Sequence, residues 1–375
     1  MSSFWQQIRS DFPLTKKWIY LDHASGGPVP KPVYEKSLQY YKTHFEEADL
    51  AWPNWVEQRE AVRRRVARFI HAEPEEIAFT RSTSHGMNLI AELIASEGTI
   101  LTNASEFPSS TLPWLWRNAR VIFQEEEQGR ISLAKLKTLL SPSVKTLVTS
   151  FVQYATGFRQ DLEALGKIKG SRYLVINATQ GFGAFPIDVE KSRIDFLCTN
   201  SYKWLMAGYG GGVLYIRKKW LSKFRPESVG WRSMKHPEAM NNRRLDLKKE
   251  ASRYEEGCPS FSTIFSLGAA VDYLSEIGIE KIAGRLRDLT AFAIKEFERK
   301  GFEVVTPQEV KNRSGIVVIK IKGAEKLCRK LLRQKIYVSA RGAGIRMAPH
   351  FYNTFEEIEA VIRQLSRLAP RLKKS

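Results

Sequence analysis

Short apolar, β-branched runs alternate with amphipathic segments between residues 76 and 216. This alternation predicts an α/β fold whose mostly parallel sheet is covered by helices on both faces. In such sheets ligands bind beyond the carboxyl ends of the strands. We therefore expect the functional residues directly after the apolar runs. The predicted strands are 76–80, 99–102, 120–123, 146–150, 173–176, 195–198 and 212–216.

The chain of 375 residues is long for one hydrophobic core and predicts two domains. A large domain is expected over residues 16–255. A smaller α+β domain is expected over 256–375, completed by an N-terminal helix within 1–15. A long helical stretch is predicted at about 262–299, followed by short strands and two further helices.

Composition excludes several classes of protein. An apolar content of 43% and a charged content of 26% are typical of a soluble globular protein. No segment resembles a signal peptide or a membrane span, so we expect a cytoplasmic location and no membrane partner. The net charge of +19 is dispersed, which does not favour a nucleic-acid partner. Cys198, Cys258 and Cys328 lack the spacing of a zinc site, and no metal is expected.

Polar and aromatic residues follow three of the predicted strands. Ser82-Thr83-Ser84 would place hydroxyls and unpaired amides at a helix N-terminus, which suits a phosphate group, although an ordinary helix cap is the alternative. Phe107 could stack on a flat ring or belong to the core. Asn177 and Gln180 follow the strand 173–176. Together these positions favour one ligand site at the sheet edge.

A fourth strand end carries a lysine. Lys203 follows the run 195–198, stands between Tyr202 and Trp204, and precedes the glycine cluster at 208–212. Partial desolvation would lower the pKa of this lysine, because burial disfavours the charged form. Such a lysine can form a Schiff base with a carbonyl group. A surface lysine in a glycine-rich hairpin is the alternative.

Eight segments in chain order give the sequence a family resemblance. It resembles the class V aminotransferase family of fold-type I pyridoxal-phosphate enzymes, which includes cysteine desulfurases. The resemblance runs from about residue 18 to 367. The matching segments are Tyr20-Leu-Asp-His-Ala24, Phe79-Thr-Arg-Ser-Thr-Ser-His-Gly-Met-Asn88, Glu106-Phe-Pro108, Val152-Gln-Tyr-Ala-Thr-Gly157, Ala178-Thr-Gln180, Ser201-Tyr-Lys-Trp-Leu205, Glu256-Gly-Cys-Pro259 and Ile345-Arg-Met-Ala-Pro-His-Phe-Tyr-Asn-Thr354.

The resemblance implies roles at the cofactor, pyridoxal 5′-phosphate. Lys203 matches the lysine that holds the cofactor as a Schiff base. Phe107 stands where an aromatic residue stacks on the pyridine ring, and Gln180 matches the glutamine near the phenolic oxygen. The positions that match phosphate-binding residues are Thr83, Ser84, Asn200 and Tyr202.

The resemblance also implies a substrate side and a partner subunit. Arg346 matches the arginine that binds the substrate α-carboxylate, and its planar fork suits bidentate pairing. His23 and Gln153, which lie in matching segments, are expected to bind substrate. Gly257 and Cys258 stand where a Gly-Thr pair reaches the phosphate of the neighbouring subunit. A homodimer with shared active sites is therefore expected, with a contact through the backbone, since Cys258 lacks the usual hydroxyl.

Two positions depart from the family pattern. Asn177 replaces the aspartate that keeps the pyridine nitrogen protonated, and a neutral amide cannot stabilise a pyridinium by charge. No cysteine lies in the loop 339–345 before Arg346, which disfavours a desulfurase that forms a protein persulfide.

We therefore predict an aminotransferase-like enzyme that acts on an amino acid or small amine. A lyase or epimerase of the same fold is the alternative, and Asn177 leaves a non-catalytic protein as a third interpretation. No charge pattern in the sequence identifies the substrate side chain.

Overall fold

The computed structural model describes residues 3–127, 129–342 and 344–369. The strands are β1 Ile19–Tyr20, β2 Ile77–Thr80, β3 Thr99–Asn103, β4 Val121–Gln124, β5 Val144–Ser150, β6 Tyr173–Asn177, β7 Phe196–Asn200, β8 Gly212–Ile216, β9 Glu303–Val304, β10 Val317–Lys320, β11 Ile336–Tyr337, β12 Ser339–Arg341 and β13 Gly344–Met347. The helices are α1 Ser3–Arg9, α2 Lys31–Glu47, α3 Trp52–Phe69, α4 Thr83–Ile94, α5 Pro108–Trp116, α6 Leu133–Thr138, α7 Leu162–Ile168, α8 Lys218–Leu221, α9 Phe261–Ile277, α10 Ile279–Arg299, α11 Ala324–Arg333 and α12 Phe355–Leu368.

The large sheet has seven strands in the order β2-β8-β7-β6-β5-β3-β4. The pairs from β7 to β4 are parallel, and only β8 runs against its two neighbours. Every residue of β2, β3, β6, β7 and β8 is buried, as expected for strands covered on both faces. The predicted α/β fold with its mostly parallel seven-stranded sheet is confirmed.

Helix α4 packs closely on this sheet and begins beside the carboxyl end of β7. The approach depends on Gly86, because a Cβ atom at this position would lie 2.8 Å from the Cβ of Cys198 in β7. Ser82 starts the helix, and its Oγ accepts a hydrogen bond of 3.1 Å from the backbone N–H of His85. The first turn of α4 is thereby fixed at the edge where ligands are expected.

A second sheet has the order β12-β13-β10-β9, and the short strand β1 pairs in parallel with β11. The N-terminal helix also contacts this part of the chain, since Arg9 forms an ion pair of 2.7 Å with Glu357 of α12. These contacts agree with an N-terminal segment that completes the smaller unit. The domain boundaries themselves stay a prediction.

The long helical stretch predicted at 262–299 consists of two helices in the structure, α9 and α10. Gly278 separates α9 from α10 and adopts a φ of 91°, a conformation that glycine tolerates and other residues rarely adopt. Among the helices of the described chain, none is long and apolar enough to cross a bilayer. The cytoplasmic location stays a prediction.

Candidate active site

A cavity opens at the carboxyl ends of β5, β6 and β7. It encloses about 510 Å³ of space, part of it open to solvent. Eight of the predicted site residues line it. The full lining is Ser82, Thr83, Ser84, Phe107, Ser109, Ser150, Val152, Tyr154, Asn177, Thr179, Gln180, Asn200, Tyr202 and Lys203.

Lys203 lies in the short link between β7 and β8. The link is closed by the backbone hydrogen bond from Ser201 to Gly211, and the Ser201 hydroxyl donates to the carbonyl of Gly208 at 2.6 Å. The Lys203 side chain is only 8% exposed. Burial lowers its pKa to about 7, and the positive charge of Arg346 adds to this effect. A substantial fraction of the amine is therefore neutral at neutral pH.

The first turn of α4 brings hydroxyls and backbone amides to one side of the cavity. Thr83 Oγ1 lies 2.6 Å from Thr179 Oγ1, and Ser84 Oγ lies 2.7 Å from Ser109 Oγ. The first backbone N–H groups of a helix have no partner within the helix and carry its positive dipole end. This arrangement suits a phosphate group.

Asn177 is the last residue of β6, and two neighbours fix its amide. Its Oδ1 accepts a hydrogen bond of 3.1 Å from the backbone N–H of Thr179. Its Nδ2 donates to Ser110 Oγ at 2.9 Å. Because the backbone N–H can only donate, this side-chain orientation is determined, and one N–H of Asn177 stays free to donate.

Gln180 and Phe107 line the cavity together with Lys203. Gln180 Oε1 accepts from Trp204 Nε1 at 2.7 Å, and Gln180 Nε2 donates to the carbonyl of Ala24 at 2.8 Å. The second Nε2 hydrogen of Gln180 is therefore available for a ligand. The Phe107 ring is 42% exposed, and its centroid lies 5.6 Å from Lys203 Nζ.

Three residues predicted to bind substrate lie outside the lining of the cavity. Arg346 is 2% exposed and forms an ion pair of 3.1 Å with Asp22. His23 is fully buried, and its Nε2 lies 2.8 Å from the Tyr352 hydroxyl. Gln153 is fully buried and donates from Nε2 to Glu106 at 2.6 Å. Their roles toward substrate stay predictions.

Gly257 and Cys258 lie in a different cavity, together with Arg81, His85 and Thr263. Within one chain they are not part of the lining around Lys203. This separation is compatible with the expected contribution to a neighbouring subunit, which stays a prediction.

Unpartnered polar atoms test whether these residues fit pyridoxal phosphate. Four buried atoms of predicted site residues have no hydrogen-bond partner in the protein, namely Asn200 Oδ1, Gln153 Oε1, His23 Nδ1 and Arg346 Nε. Of these residues only Asn200 lines the cavity, and an unpaired buried polar atom at a cavity indicates a ligand. With the hydroxyls of α4 and the neutral fraction of Lys203, the residues present fit the cofactor.

The fold and this site define a fold-type I pyridoxal-phosphate enzyme. Residues 19–364 match the family model for class V aminotransferases. The chain belongs to the class V aminotransferase family, which confirms the resemblance seen in the sequence. Membership in this family identifies pyridoxal 5′-phosphate as the cofactor.

Relatives and solved structures support the same assignment along the whole chain. A probable cysteine desulfurase of Pyrococcus abyssi is 28% identical, with 99% of each chain covered. An uncharacterized aminotransferase of Bacillus subtilis is also 28% identical, with 96% of this chain and 97% of the relative covered. The apo structure of a cysteine desulfurase from Thermococcus onnurineus superposes with a TM-score of 0.90 at 25% identity, with 98% of each chain covered.

Several lining residues were not predicted from the sequence. Ser109 and Ser150 are ordinary serines in sequence, and only the fold brings them to the cavity. Thr179 and Tyr154 lie inside quoted family segments, so their position in those segments was a usable signal. Asp22 is also in such a segment, and its ion pair with Arg346 was not foreseen.

Proposed function

We propose that the chain is a pyridoxal-phosphate-dependent enzyme that acts on a small α-amino acid, with transamination as its reaction. The observation that carries this proposal is the buried amine of Lys203 in a cavity at the strand ends, with a pKa of about 7. A neutral amine can attack a carbonyl carbon, whereas an ammonium group cannot. When bound, pyridoxal phosphate supplies an electron-withdrawing ring next to the α-carbon of the substrate.

In this proposal, different residues of the cavity serve different parts of the cofactor and the substrate. Thr83, Ser84 and the first amides of α4 would hold the phosphate group. The free Nε2 hydrogen of Gln180 would serve the phenolic oxygen, and the free Nδ2 hydrogen of Asn177 would serve the ring nitrogen. The Lys203 amine would move protons to and from the substrate α-carbon.

Arg346 binds the substrate carboxylate in this proposal. Its Nη2 is held by Asp22 and by the Ser25 hydroxyl at 2.7 Å, while its Nη1 donates to the carbonyl of Tyr154 at 3.2 Å. Its Nε has no partner within the described protein. The guanidinium is therefore held in place before substrate arrives, which lowers the entropic cost of binding.

A desulfurase that forms a protein persulfide is less well supported, although several relatives bear that name. Such a reaction needs a cysteine thiolate at the substrate. Cys198 is fully buried in β7, Cys258 lies in the other cavity, and Cys328 lies on α11. Among the described residues that line the cavity around Lys203, none is a cysteine.

A lyase or epimerase is the second candidate, and Asn177 favours it. A neutral amide at the ring nitrogen stabilises negative charge at the α-carbon less than a charged partner does. A reaction that requires less stabilisation of this charge would therefore be slowed less by Asn177. A non-catalytic protein is disfavoured by the lowered pKa of Lys203, because structural roles do not require a neutral buried amine.

The homodimer expected from the family completes the proposal. Gly257 and Cys258 of one subunit approach the phosphate site of the other. Their location outside the cavity of their own chain supports this arrangement.

Uptake of cofactor by the apo protein tests the role of Lys203. We expect an absorbance band from the Schiff base, formed at a rate that rises with pH through about 7 and then levels off, because the amine loses its proton there. Lys203→Ala should form no band. Lys191→Ala, which removes a lysine whose side chain is 65% exposed, should behave as the wild type. A wild-type protein that takes up no cofactor, or a Lys203→Ala protein with an unchanged band, contradicts the proposal.

A further inference from the structure

Two arginines near the substrate side of the cavity differ in how their charge is balanced. Arg346 is buried and paired with Asp22, so its charge is compensated inside the protein. Arg341 is exposed, and its Nη1 donates only to the carbonyl of its neighbour Ala340 at 2.8 Å. Within the described ranges of the chain, no carboxylate forms an ion pair with Arg341. Arg341 is therefore available to an anionic ligand.

The register of β12 directs Arg341 toward the same region. Ser339 pairs with Arg346 across β12 and β13, and the Ser339 hydroxyl donates to Asp22 Oδ1 at 3.0 Å. Side chains two residues apart on a strand point to the same face. Arg341 consequently points to the face on which Ser339 meets Asp22, one step further toward the end of the strand.

The turn that follows β12 lies against the cavity wall. A Cβ atom on Gly342 would lie 3.2 Å from the carbonyl oxygen of Ala155. Ala155 follows Tyr154, which lines the cavity and accepts a hydrogen bond from Arg346 through its backbone. The end of β12 is thus next to the wall that faces the substrate.

The electrostatic effects agree with this placement. Burial is the main cause of the lowered pKa of Lys203 and also of Arg346. Arg341 adds to the lowering in both cases. Its guanidinium is therefore close enough to act on both groups.

We propose that Arg341 is a specificity-determining residue that binds a second acidic group of the substrate. The site then prefers α-amino acids with an acidic side chain, such as dicarboxylic amino acids, over neutral ones. An arginine and a carboxylate can form two parallel charge-assisted hydrogen bonds, which give both affinity and orientation. This inference rests on the proposed function, because it assumes that Arg346 takes the α-carboxylate.

Titration of the cofactor-loaded protein with amino acids tests the inference. Dissociation constants come from the change in cofactor absorbance with aspartate, glutamate and alanine. We expect the wild type to bind an acidic amino acid more tightly than alanine. Arg341→Gln should weaken binding of the acidic amino acid about tenfold and leave alanine unchanged. The matched control Arg329→Gln, which removes an exposed arginine on α11, should change neither constant.

Three outcomes overturn the inference. The first is an equal loss of affinity for alanine and for acidic amino acids in Arg341→Gln. The second is no change in either affinity in that variant. The third is a wild type that shows no preference for an acidic side chain. Cofactor absorbance before titration reports separately on the proposed function. If the wild type takes up no cofactor, the proposed function fails. The role of Arg341 can then be tested by calorimetry of succinate binding to the cofactor-free protein, in which Arg341→Gln should still lose binding.

Discussion

At the residue scale, Asn177 is one of the two positions where this chain departs from the family pattern. Both of its polar groups are engaged, with Oδ1 on the backbone of Thr179 and Nδ2 on Ser110. An aspartate would fit the same contacts, because its oxygens can accept from Thr179 and from the Ser110 hydroxyl. The change from amide to carboxylate therefore alters charge while the geometry is kept.

Asn177→Asp is expected to protonate the cofactor ring nitrogen and to raise turnover about tenfold, since a charged partner stabilises the pyridinium. The ¹⁵N chemical shift of labelled cofactor and the turnover of each accepted amino acid are the measurements. Asn88→Asp makes the same chemical change on the exposed side of α4 and should alter neither. An unchanged chemical shift together with unchanged turnover in Asn177→Asp would refute the reasoning.

The sequence was most informative at this scale where a residue lies in a family segment. Lys203, Gln180 and Asn177 were predicted to lie at one sheet edge, and they line one cavity. The ion pair of Asp22 with Arg346 could not be predicted from the sequence, because it joins distant parts of the chain. Hydrogen-bond orientation, as in Asn177, also depends on neighbours that only the fold assembles.

At the scale of elements, the approach of α4 to β7 positions the end of the site that we propose to bind phosphate. Gly86 permits this approach, because any side chain would meet the Cβ of Cys198. Gly284 on α10 is the contrasting case, since the nearest atom to an added Cβ there is the end of the Arg287 side chain at 3.9 Å. Two helical glycines thus differ in whether a methyl group has room.

Gly86→Ala should lower the free energy of unfolding by about 1–3 kcal/mol through overpacking, and it should weaken cofactor binding because the first turn of α4 moves. Gly284→Ala should raise the free energy of unfolding by about 0.5–1 kcal/mol, because alanine is the better helix former. Thermal unfolding and cofactor titration of both variants check these expectations. A Gly86→Ala protein that binds the cofactor as tightly as the wild type contradicts the role given to α4.

The strands were predictable because their apolar runs are short and bounded by polar residues. All seven predicted strands of the large sheet occur, each within a few residues of its expected bounds. The break between α9 and α10 was missed, because helical periodicity continues on both sides of Gly278 and an isolated glycine is often tolerated in a helix.

At the scale of the whole molecule, the proposed homodimer explains why Gly257 and Cys258 lie away from the cavity of their own chain. A Cβ atom added at Gly257 would meet no atom within 4 Å in the single chain. Gly257→Trp should therefore fold normally and yet block a partner that approaches this surface.

Mixed dimers test this arrangement. Lys203→Ala and Gly257→Trp should each lose covalent cofactor binding when expressed alone. Co-expression should restore one of the two sites in the mixed dimer, because that site combines the intact Lys203 of one chain with the intact Gly257 of the other. Purification through two different tags followed by cofactor absorbance measures the recovery. A mixed dimer without cofactor, or a Gly257→Trp protein that binds it normally alone, would count against shared sites.

The pairing of β1 with β11 has a consequence for the order in which parts of the site form during synthesis on the ribosome. Asp22, which follows β1, leaves the ribosome early, whereas Arg346 and the strands that hold it are synthesised much later. The nascent chain can assemble the large sheet and the lysine link while the corner proposed to bind the carboxylate is still missing. In the proposed enzyme, catalytic competence is therefore acquired late, once Arg346 has been synthesised.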